Sequence, residues 1–82
     1  MKNCVFIPRG VCSYMIKYSL DDENKIHNLE FSGGCNGNLK AIGKLLEGMD
    51  AEKAIKILEG NDCRGRGTSC ADQLTKSLKE NI

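Results

Sequence analysis

Cys63-Arg64-Gly65-Arg66-Gly67-Thr68-Ser69-Cys70-Ala71-Asp72-Gln73 sets a glycine-rich loop between two cysteines and then opens a helix. Ser69 is a good N-cap residue, and Asp72 follows it at capping-box spacing. Cys70 then falls in the first helical turn, where unpaired N–H groups and the helix dipole favour negative charge. Gly33-Gly34-Cys35-Asn36-Gly37-Asn38 repeats the arrangement: it ends a strand-like run and opens a helical one, with Asn36 or Asn38 available as cap. Two cysteines at two helix starts suggest one shared site framed by the rest of the chain.

Between these stretches the pattern is helical. Leu39, Ile42, Leu45 and Leu46 follow helical spacing, and Gly48 is a plausible C-cap. Asp50 can cap a second helix carrying Ala54, Ile55 and Leu58, stopped by Gly60-Asn61. The last helix runs from about Cys70 to Glu80, with Ala71, Leu74 and Leu78 on one stripe. The first half is strand-like. Residues 3–7 are β-prone and end at Pro8. Residues 11–20 alternate, with Tyr14, Ile16, Tyr18 and Leu20 on one face. After the polar turn Asp21-Asp22-Glu23-Asn24, residues 25–32 form a second strand whose Leu29 and Phe31 share a face with His27. An antiparallel hairpin is expected. Strands followed by helices predict an α+β fold, a small antiparallel sheet with three helices packed on one face.

Length makes this one domain, 1–82, with a core small enough to need a staple: a disulfide, a metal or a partner subunit, a second copy of the chain included. A net charge of +1 marks out no nucleic acid or other polyanion as partner. No apolar run could span a membrane. The N-terminal stretch is interrupted too early to read as a signal peptide, so the expected compartment is the cytoplasm, where structural disulfides are rare.

Five cysteines are many for such a chain, and 7, 22, 27 and 6 residues separate successive ones. There is no Cys-x-x-Cys, so neither a zinc-ribbon knuckle nor a thioredoxin-type pair is present. Placement says more than spacing. Cys12 opens a strand, Cys35 and Cys70 open helices, and Cys63 lies in the loop before Cys70. Strand ends and helix starts gather at one end of an α+β layer, so these four could converge, with Cys4 outside or at the edge. Four thiolates suit Zn²⁺ or an iron–sulphur cluster. Buried small apolar residues and thiol redox exchange are the other readings of the same cysteines.

Gly33-Gly34-Cys35-Asn36-Gly37-Asn38-Leu39, Gly67-Thr68-Ser69-Cys70-Ala71-Asp72-Gln73-Leu74 and Gly10-Val11-Cys12-Ser13 resemble the signature stretches of the TSCPD-domain family, and the resemblance runs from about Cys4 to Leu78. Ala71 stands where the family name has proline. Proline is favourable but dispensable there, so the same fold is expected with a less rigid helix start. The family occurs as small stand-alone proteins and as a C-terminal segment of adenosylcobalamin-dependent ribonucleotide reductases. The resemblance therefore implies an association with ribonucleotide reductase and deoxyribonucleotide synthesis. This chain is far too short for a reductase barrel or a cobalamin site, so it implies an accessory piece rather than a catalyst. The order of strands, Gly-Cys, helices and Cys before a last helix is also similar, in topology, to iron–sulphur scaffolds of the NifU/IscU type. Cys35, Cys63 and Cys70 would be their three ligands; Asn36 and Asn38 stand where those scaffolds have an aspartate.

Arg64, Arg66, Thr68 and Ser69 could bind an anion at the helix start or shield thiolate charge. The loop lacks the lysine and spacing of a P-loop. His27 is the only histidine, and nothing links it to a nucleophile. Two function classes result: a metal-binding accessory module, and a thiol-redox or cluster-carrying protein.

Overall fold

The computed structural model describes residues 1–34, 36–63, 65 and 67–82, Asn36 by its backbone alone. The elements are β1 (Lys2–Phe6), β2 (Ser13–Leu20), β3 (Ile26–Gly33), α1 (Asn36–Leu46), α2 (Ala51–Leu58) and α3 (Cys70–Asn81). The sheet is antiparallel in the order β1-β2-β3. The fold is α+β, as the run of strands followed by helices requires.

Alternation places Cys4, Ile16, Tyr18, Leu20 and Ile26 on one face of the sheet, with Phe6, Leu29 and Phe31 packed beside them. The helices close over this face with Leu46, Ala51, Ala54, Leu74 and Leu78. Inside the core, the Tyr18 hydroxyl lies 2.7 Å from Ser77 Oγ and accepts from Asn81 Nδ2 at 3.1 Å. Burial is the main reason that its pKa is raised.

Two bulges correct the simple alternation. Between the pairs Ser13↔Gly33 and Met15↔Ser32, β2 carries one extra residue, Tyr14. Tyr14 therefore turns out to 64% exposure instead of joining Ile16, Tyr18 and Leu20 inside. Between Lys17↔Glu30 and Ser19↔His27 the extra residue is on β3, where Asn28 has φ +56. That bulge puts Leu29 and Phe31 in phase with buried Ile26 and takes His27 off their face.

The helix signals act locally. Asp50 accepts from Lys53 N at 3.3 Å and starts α2. Ser69 Oγ accepts from Asp72 N at 3.0 Å and starts α3. On α1 the inward stripe is Leu39, Ile42 and Leu46, whereas Leu45 faces solvent at 74% exposure because it falls about 100° round the helix from Leu46. Gly48 N donates to Ile26 O and Ile26 N to Met49 O, so the α1–α2 connection is laced to the start of β3. Among the described residues, no helix is long and apolar enough to cross a membrane.

Candidate functional site

A cavity of about 200 Å³ opens where the segment leading into β2, the first turns of α1 and the start of α3 meet. Cys12, Cys63 and Cys70 all line it, with Asp62 and Ser69 beside them and Leu39 and Ile42 as an apolar wall. Three of the four cysteines read as one site thus reach one cavity from three separate parts of the chain. Cys12 is exposed, Cys63 and Cys70 are half-buried. Cys35, Arg64 and Arg66 lie outside the described residues. Cys4 is away from the cavity, 7% exposed in the core on β1.

Cys70 is the first residue of α3, directly after its cap. Its sulphur accepts a hydrogen bond from the Ser13 hydroxyl at 3.1 Å. This contact escapes a reading by alternation, which turns Ser13 away from the core; only the extra residue on β2 brings it inward.

The loop before α3 is organised by two aspartates. Asp62 accepts from Gly65 N at 2.7 Å and Gly67 N at 2.5 Å. Cys63 N donates to Thr68 O at 3.0 Å and closes the loop. Asp72, buried, accepts from the Thr68 hydroxyl at 2.6 Å and from Gly60 N at 2.7 Å. Its carboxyl is held below the usual carboxylate range, first by Thr68, then by Gly60, with Lys76 adding to the effect. Asp72 therefore does not reach back in a capping box; it ties the loop down. Asn61 Nδ2 donates to Ser69 Oγ at 3.2 Å, and Gln73 Nε2 donates to Thr68 Oγ1 at 3.0 Å while its carbonyl takes Arg9 N at 3.1 Å. The Thr68 hydroxyl, read as an anion donor, is thus given to Asp72, and Ser69 Oγ accepts from its own loop and helix. A local signal for this existed in the acid-bearing Asn61-Asp62 before the glycines, but it reads equally as a plain turn.

A second polar cluster lies elsewhere. His27 stands between two carboxylates, Asp21 and Glu47. A cleft of about 530 Å³ runs nearby between β3 and α1, lined by Leu29, Phe31, Leu39 and Gly43 with Lys40, Lys44 and Glu47 at its rim.

The donor set at the cysteine cavity is soft sulphur, which suits a thiophilic ion. Among the described residues, no three His, Cys, Asp or Glu side chains stand close enough together to hold a metal ion. The fit is therefore one of donor chemistry and a shared cavity, not of a closed coordination sphere.

No curated protein and no solved structure matches the chain. The family model described as the TSCPD domain matches residues 3–82, nearly the whole chain, and the chain belongs to the TSCPD-domain family.

Proposed function

We propose that this TSCPD domain is a metal-binding accessory module. Cys12, Cys63 and Cys70, with Cys35 as the fourth ligand, would hold zinc or an iron–sulphur cluster. The observation that carries this reading is the meeting of Cys12, Cys63 and Cys70 on the wall of one cavity. Thiolates are the ligands that zinc and iron–sulphur clusters take in such sites. The bound ion would supply a cross-link between β2, the loop and α3, which a core of this size needs. Arg64 and Arg66 would offset the negative charge that four thiolates gather. The family resemblance extends the proposal to its setting: the module serves a ribonucleotide reductase and does no chemistry alone.

Anaerobic purification, elemental analysis and an absorption spectrum test it. About one zinc per chain without visible absorption supports a structural ion. Brown protein with iron and sulphide supports a cluster. Metal-free protein, with no uptake on reconstitution, overturns the reading. A thiol-redox protein is the second reading, favoured by Cys63 and Cys70 lining the same cavity with only six residues between them. A reversible Cys63–Cys70 disulfide, seen by mass spectrometry on the metal-free protein, would decide for it.

A further inference from the structure

We propose that Ser13 is a positioning residue for the metal site: its hydroxyl holds the Cys70 sulphur, and the bulge at Tyr14 exists to aim it there. This rests on the metal-site reading above.

Ser13 is the first residue of β2 and only 3% exposed. Counting back from buried Ile16, strict alternation gives Met15 outward, Tyr14 inward and Ser13 outward. The extra residue at Tyr14 reverses the last two. The reversal is built into both strands. Gly33, opposite Ser13, has φ +80, and a Cβ there would lie 2.8 Å from Tyr14 Cδ1, so the expelled ring takes the space that a side chain would fill. Gly34, φ +77, leaves equally little room: its Cβ would lie 3.2 Å from Ser13 N and 3.3 Å from Cys12 Cβ. The two glycines therefore let the ring out and keep the backbone of 12–13 close.

The result is a hydroxyl donating to Cys70 Sγ at 3.1 Å. A ligand sulphur that is hydrogen-bonded from outside the coordination sphere keeps one direction, and losing such a partner typically costs about 10–100-fold in metal affinity. Ser13 is held by the sheet and Cys70 by the helix. Their contact thus transmits the sheet's rigidity to the ligand.

Cobalt(II) uptake by the intact chain tests this, read by the sulphur-to-cobalt charge-transfer absorption and by competition with a chelator. Ser13→Thr and Ser13→Val form the decisive pair, because they match in volume and differ in the hydroxyl. The expected result is Ser13→Thr within about threefold of the native chain and Ser13→Val weaker by about tenfold or more. Ser13→Ala, if it folds, should follow Ser13→Val. Equal affinity in the Thr and Val variants overturns the role of Ser13 while leaving the metal site standing. No charge-transfer band in the native chain overturns the metal reading and this inference with it.

Discussion

Glu47 Oε2 lies 2.6 Å from His27 Nδ1 and fastens the end of α1 to β3. Asp21 Oδ2 takes the other ring nitrogen at 2.8 Å, and Glu47 Oε1 also accepts from Asn28 N at 2.9 Å. Both ring nitrogens can donate only when the imidazole is protonated. The pKa of His27 is accordingly raised above 6.5, by Asp21 first and Glu47 second. Asp21 is lowered to about 2, by the Lys25 N–H and then by His27; Glu47 is lowered, by the Asn28 N–H and then by His27.

The signs give a stability window. A raised histidine contributes fully below its unfolded value of about 6.5, and the contribution is lost as pH rises through the folded value. Lowered carboxylates contribute above their unfolded values of about 4, and this is lost as pH falls through the folded ones. Melting temperature should therefore peak between about pH 5 and 6.5 and fall on the alkaline side. His27→Gln should flatten that alkaline limb; an unchanged profile between pH 6 and 9 would refute the clamp.

Asp72→Ala should destabilise the protein by about 2–3 kcal/mol, since hydrogen bonds to a buried charged group are lost and their donors orphaned. Urea denaturation measures this. Amide exchange at Gly60 and Gly67 should speed up first, because the loop loses its anchor on α3.

Two glycines of α1 should respond oppositely to alanine. Gly37 has nothing within 4 Å of where its Cβ would be, so Gly37→Ala should stabilise by up to about 1 kcal/mol. At Gly43 a Cβ would meet Leu29 O at 2.9 Å, backbone that cannot rotate aside. Forcing such a contact costs about 1–3 kcal/mol, which outweighs the helix gain. Gly43→Ala should lower the melting temperature and Gly37→Ala raise it; two shifts of the same sign would refute the close approach of α1 to β3.

Cys4→Ser should cost about 1–3 kcal/mol in metal-free and metal-loaded protein alike, because it puts a hydroxyl into the core. A terminal position suggests the opposite, that serine there is harmless. Cys70→Ser should differ: its main loss should appear only when metal is bound. Paired thermal melts with and without chelator separate the two.

Much of the fold was legible because its signals are local. Ser69 and Asp50 cap the helices that their positions announce, and Gly33-Gly34 ends β3. Tyr14, His27 and Leu45 were misplaced for a common reason. A bulge exists only relative to a partner strand, and a helix stripe is narrowed by what packs against it; neither is written in one segment. At the site, Cys12, Cys63 and Cys70 line one cavity, while among the described residues no three His, Cys, Asp or Glu side chains stand close enough to hold a metal. The contact from Ser13 and the tethers of Asp62 and Asp72 were not legible in the sequence, since each depends on a residue brought close by the fold.

The β2–β3 bulges have a consequence for misfolding. They lie on opposite strands, so the pairs outside them share one offset and the pairs between them another. If β2 slid by one residue along β3, it would carry the Tyr14 kink away from Gly33 and meet Asn28 with the wrong neighbour. The hairpin is thus keyed like a lock with two wards. A lengthened or shortened turn at 21–25 should leave it closing in the native alignment, with few slipped forms to feed aggregation.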